Sequence, residues 1–166
     1  MHQNLVDARG GNIAFSRGAL RQGQINNNGA WNYNQFQTQN TVHYTVDGVF
    51  GSLAPADNQA LSTGHNTVTG CNVCFFALWV NNTNVLATTQ GPLVDPVLLF
   101  GGSAKSIIKL PDVVSNNVLI GLIKVKVGVW ASFVPRTTNF NATNITTTFF
   151  DVSSMPTSAV PGIQGS

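Results

Sequence analysis

Cys71-Asn72-Val73-Cys74 holds the only two thiols of the chain, at the C-x-x-C spacing used both by zinc sites and by dithiol redox centres. Zinc would need two further ligands, for which the sequence offers His2, His43 and His65. A redox pair ordinarily opens a helix, whereas Cys74 leads into an apolar, strand-like run, and residues three apart on a strand face opposite sides. The reading for the pair is free, buried cysteine acting as a small apolar group, and no metal or cofactor is assigned. Ser106-Ile107-Ile108-Lys109 has the S-x-x-K spacing of an activated serine, but its companion motifs are missing and the run reads as a strand. No G-x-S-x-G and no phosphate-cradling G-x-x-x-x-G-K occurs, and Gly101-Gly102-Ser103-Ala104-Lys105 is a distant echo of the latter. His43 and His65 are each able to act as a base, but the expected role of both is structural. The acids are six scattered Asp (Asp7, Asp47, Asp57, Asp95, Asp112, Asp151), several in turns, and no pair is placed as glycoside hydrolysis requires. The reading is non-enzymatic, with no catalytic residue.

What chemistry remains is recognition by contact. Trp31, Tyr33 and Phe36 stand among Asn and Gln near the N-terminus, and Arg9, Arg17 and Arg21 give the same stretch a slight positive charge against Asp7. Rings in a polar segment are anchors for pockets on another subunit, so these six residues are the expected partner-binding set. The alternative is that the rings fold back onto the parent domain. Trp130, at a strand break beside Ala131-Ser132-Phe133, is a further surface contact, either a rim anchor or a stacking face for sugars.

The elements that must position these residues are strands. Only 8% of the 166 residues are charged, Glu is absent, and the polarity comes from Asn, Gln, Thr and Ser beside abundant Val, Ile and Phe. A net charge of +2 without a basic cluster speaks against nucleic acid as a partner. No apolar run approaches the roughly 20 residues of a membrane-spanning helix. The start Met1-His2-Gln3-Asn4 lacks a basic and then apolar leader, from which production in the cytoplasm is expected.

Residues 1–40, rich in Gly, Asn and Gln, predict an extended polar arm; 41–152 a β domain; 153–166 a short tail. Thr41–Val46 alternates, Asp47-Gly48 is a two-residue hairpin signal and Val49-Phe50 resumes the pattern. Asn72–Val80 is apolar on both faces, as in a central strand, with Trp79 in the core, and Val85–Thr89 returns the chain after a turn. Residues 97–100 and 106–110 are weaker strand candidates. In Val118–Val129, Ile123, Val125, Val127 and Val129 alternate with Lys124 and Lys126, giving one buried and one wet face. Asn144–Val152 closes the set. The expected fold is all-β: an antiparallel sandwich, jelly roll or small barrel.

The segment order Val46-Asp47-Gly48-Val49-Phe50, Ala54-Pro55-Ala56-Asp57-Asn58-Gln59-Ala60, then Leu119-Ile120-Gly121-Leu122-Ile123-Lys124-Val125 and Phe133-Val134-Pro135-Arg136-Thr137-Thr138-Asn139-Phe140 resembles that of head decoration, or cement, proteins of tailed bacteriophages. The likeness spans about 42–151. It implies a β-rich protein on the outside of a capsid, produced in the host cytoplasm, forming trimers or dimers. Its partner would be the major capsid protein, clamped through extended arms. Carbohydrate binding, on a virion or cell surface, is the alternative function.

Overall fold

In the computed structural model the described residues are 33–95 and 110–151, with the backbone of Ile13–Ala14 (β1) and Ala19–Gln22 (β2). The remaining strands are β3 (Phe36–Gln39), β4 (Val42–Val46), β5 (Val49–Leu53), β6 (Ala56–Gln59), β7 (Val68–Thr69), β8 (Val73–Asn81), β9 (Leu86–Gln90), β10 (Asn117–Val127), β11 (Ser132–Phe133) and β12 (Ile145–Asp151). All regular structure among the described residues is strand, so the fold is all-β, and those residues hold no helix long and apolar enough to cross a membrane. The strands form four antiparallel sheets, ordered β1-β4-β5, β12-β10-β8-β9, β11-β7 and β2-β3-β6. The four-stranded sheet is open, with β12 and β9 at its edges, which removes the small-barrel alternative.

The central strand β8 buries both its faces. Cys74, Phe76, Leu78 and Val80 enter the main core together with Phe36, Val42, Tyr44, Val46, Leu61 and Phe133. On the reverse face Ala77 and Trp79 join Leu122, under Leu110, Val113, Val114 and Phe150. The Trp79 indole N–H, which burial would otherwise strand, donates to the Thr89 hydroxyl at 2.7 Å. Partner strand β10 serves both faces through a bulge between Leu119 and Gly121, where Ile120 is the extra residue. Before the bulge Val118 and Ile120 face the main core; after it the odd residues Ile123, Val125 and Val127 do. Val129, expected to continue that buried row, lies beyond the strand and is exposed, because the chain has already turned at Gly128.

The stretch expected as an extended arm contains three strands laid on the body: β1 pairs with β4, and β2 pairs with β3, which pairs with β6. Phe36, Gln37 and Thr38 are all buried, and the Thr38 hydroxyl accepts the Ala56 N–H at 3.0 Å. An amide-rich segment can join a sheet in this way because Gln and Thr side chains satisfy themselves in the ladder while Phe36 supplies the apolar area. The strand candidate at 97–100, that at 106–110 except Leu110, which is not in a strand, and the tail from 152 onward lie outside the described residues.

Tyr44 locks the β4–β5 hairpin to the central sheet. Its ring covers Gly51, directly opposite on β5, and its hydroxyl donates to the Asn84 side-chain oxygen and lies 3.0 Å from the Asn81 carbonyl in the β8–β9 turn. A methyl group on Gly51 would fall on that ring. Gly51→Ala is therefore expected to lower unfolding free energy by about 2 kcal/mol through overpacking. Tyr44→Phe, which strips the hydroxyl and leaves the ring, should cost about 1 kcal/mol. Urea unfolding of both variants checks this order.

Candidate functional site

The two cysteines are free and differ in setting. Cys74 lies in the core with its Sγ 3.3 Å from the Gly91 carbonyl, and burial pushes its thiol up to about 11. Cys71 is half-buried in the turn before β8, in a left-handed conformation with φ 66°, and its N–H donates to the Val127 carbonyl at 3.1 Å. No three His, Cys, Asp or Glu side chains come together among the described residues. His43 stacks on Phe50 on the outer face of the β4–β5 hairpin, with centroids 5.9 Å apart. His65 packs on Phe76 and sets its Nε2 2.8 Å from the Thr88 hydroxyl. A hydroxyl beside an imidazole is the starting arrangement of a nucleophile; Thr88 is 5% exposed and its hydroxyl oxygen already accepts the Ser62 N–H. Ser106 and Lys109 lie outside the described residues.

The expected contact residues divide. Arg9, Arg17 and Trp31 lie outside the described residues, and Arg21 sits on β2 opposite Gln37. The Tyr33 carbonyl accepts the Phe140 N–H at 2.8 Å, and the Asn34 amide donates to the Arg136 carbonyl at 2.7 Å, so the chain is fixed to its own body from residue 33 onward. Phe36, expected as an anchor for a partner, is instead fully buried in the chain's own core. The fold-back alternative holds for it, since the β3 ladder turns its ring inward.

Trp130 is 98% exposed. It occupies the turn Gly128–Ala131, closed by the Ala131 N–H on the Gly128 carbonyl at 3.3 Å, at the position where φ is +61° and glycine is ordinarily favoured. Most left-handed residues here are Asn or Asp, which tolerate that conformation; the bulky exceptions are Cys71, Trp130 and Arg136. Cys71 and Trp130 belong to adjoining turns, because Gly70 lies against the Gly128 and Ala131 carbonyls and the Trp130 nitrogen. Arg136 follows β11 and donates to the Leu61 carbonyl at 2.9 Å. Strain of this kind, about 1–3 kcal/mol per residue, persists only where the surroundings enforce it, and it collects beside the exposed ring.

No protein-family model matches the chain, and comparisons with curated proteins and with solved structures return no match.

Among the described residues the other large exposed apolar side chains are Val129, adjacent to Trp130, Val134, and Val49, Phe50 and Val85. Their placement follows the long β8–β10 pair. Asn117 at one end of β10 lies opposite Asn81, at the turn that carries Val85 and receives Tyr44 from the β4–β5 hairpin. Val127 at the other end leads into Val129 and Trp130. At about 3.3 Å per residue the two ends stand roughly 30 Å apart. The sequence signals only Trp130 of these, through its strand break; Phe50 and Val85 look like interior residues of an apolar pattern.

Two measurements follow. In the folded protein at pH 8, one thiol per chain should react with a thiol-selective chromophore, Cys71, and the second only on addition of denaturant. Trp130→Gly should leave unfolding free energy unchanged or raise it by up to about 1 kcal/mol, because relief of the left-handed conformation offsets glycine's chain entropy. Urea titration distinguishes that result from the loss expected of a ring that supports the fold.

Proposed function

We propose that the protein is a non-enzymatic structural protein of a bacteriophage virion that binds the outer surface of the capsid and bridges neighbouring capsid subunits. The observation that supports this best is a pair of exposed apolar sets: Val129 and Trp130 just beyond one end of β10, and Val85 in the β8–β9 turn near the other, with Val49 and Phe50 on the hairpin that Tyr44 ties to that turn. A bridge needs two adhesive ends on a stiff body. Strand β8, buried on both faces, supplies the stiffness. The segment order that resembles head decoration proteins supplies the partner, the major capsid protein, and the expectation of a dimer or trimer. Many copies on one lattice would add avidity to contacts that are each small. Of the contacts proposed from the sequence, Phe36 drops out, Trp130 stays and Phe50 is added.

A carbohydrate-binding role is the second reading, favoured by one observation, the fully exposed indole face of Trp130. Co-sedimentation with undecorated phage heads separates the two. Full-length protein should sediment at a fixed number of copies per head, and Trp130→Ala should weaken binding by about tenfold or more, as loss of an interface anchor does. Removing residues 1–40 is the wrong truncation, because it would take Phe36 out of the core. Absence of the full-length protein from the head fraction, together with retention on a glycan array, would transfer the assignment to sugar binding.

A further inference from the structure

Residues 61–66 form a strap along β9, the open edge of the four-stranded sheet, and the strap is attached almost entirely by side chains. The Ser62 N–H donates to the Thr88 hydroxyl at 2.8 Å, and the Thr88 N–H donates to the Ser62 hydroxyl at 2.8 Å. Two rungs on, the Asn66 N–H donates to the Gln90 side-chain oxygen at 2.7 Å, and the Gln90 amide donates to the Asn66 carbonyl at 2.9 Å. Between them His65 sets Nε2 2.8 Å from the Thr88 hydroxyl. Leu61, fully buried, roots the strap in the main core. The outward N–H of Thr88, which an edge strand would leave open to another chain, is thus satisfied by a removable partner.

We propose that the strap is an acid-released cover over the edge of β9, with His65 as its proton-sensitive catch. The Thr88 hydroxyl carries one proton and already accepts from Ser62, and it is 5% exposed, so its proton must find a protein acceptor. His65 Nε2 is that acceptor, which makes the ring neutral with its own proton on Nδ1. Adding a proton to Nε2 turns the acceptor into a donor; the Thr88 hydroxyl can then accept from it only by turning its own hydrogen away from the one acceptor it had. The groups that face the ring are Phe76 from β8 and Thr88 from β9. The titratable neighbour of Phe76 along the same face of β8 is Cys74, whose buried thiol stays protonated. Burial alone depresses the His65 pKa, with no charged side chain contributing. The neutral ring therefore contributes stability that is complete above the unfolded value of about 6.5 and is lost as pH falls through the lower, folded value. Release would uncover the outward groups of β9 for addition of a strand from another chain.

Native-state hydrogen exchange of the full chain at pH 7.5 and 5.0, corrected for intrinsic rates, tests this. Protection of the Ser62, Asn66 and Thr88 amides should fall by about tenfold or more at the lower pH, while the amides of Leu78 and Ile123 keep theirs. The loss should follow the protonation midpoint of His65 read from its ring resonances in the unmodified protein, and His65→Gln should remove the pH dependence. Equal loss at Leu78 and Ile123, a midpoint that does not coincide with the His65 titration, or unchanged protection at pH 5.0 would each overturn the proposal.

Discussion

Strand β8 has no face for water, and most of the molecule can be understood as what that requires. Seven of its nine residues are buried, with side chains in alternate directions, so the sheet that holds them needs a cover on each side. The main cover is assembled from distant parts of the chain: β3 and β4 from the N-terminal third, Leu61 from the strap, Phe133 and Phe140 from the segment between β10 and β12. A run of rings joins these parts, from His65 through Phe76, Phe133 and Phe140 to Phe149, at centroid separations of 5.3 to 6.2 Å. The second cover is smaller and comes from Leu110, Val113 and Val114.

Covering both faces leaves the ends. Side chains can close the faces of a sheet but only loops can close its ends, and here Val85, Val129, Trp130 and Val134 stand in connections between strands. The Gly128–Ala131 turn could have been built with glycine at its third position and a polar residue beside it; it carries Trp130 and Val129. A fold that keeps a bulky ring in an unfavourable conformation and in full contact with water gains no core packing from it, which is the ground of the recognition role proposed for it.

The elements most legible in the sequence were those whose side chains alternate without interruption. The β4–β5 hairpin was marked by Asp47-Gly48, β8 by two apolar faces, β12 by its Thr and Phe pattern. β10 was legible as a strand but not as a bulged one, although Val118 and Ile120 fall on even numbers and Ile123, Val125 and Val127 on odd ones; that change of parity is the bulge written in sequence. β3 was missed because Phe36-Gln37-Thr38-Gln39 shows one apolar residue among amides, and pairing with β2 and β6 is a long-range fact that local composition does not carry. The strap was invisible for a related reason: Ser62, His65 and Asn66 bind through side-chain geometry and leave no periodic trace. Trp130 was marked because a tryptophan at a strand break has no core to enter.

The bonds that join one element to another run mostly between neutral groups. Tyr44 with Asn84, Trp79 with Thr89, Thr147 with the Phe140 carbonyl, Ser62 with Thr88 and Gln90 with Asn66 exchange hydrogens without formal charge; Arg136 on the Leu61 carbonyl is the exception among those described above. Dissolved ions screen fields between charges and have little purchase on such bonds. The joins these bonds make are therefore little weakened by rising ionic strength, and among them a response to the medium falls to the one ionisable ring beside Thr88, that of His65.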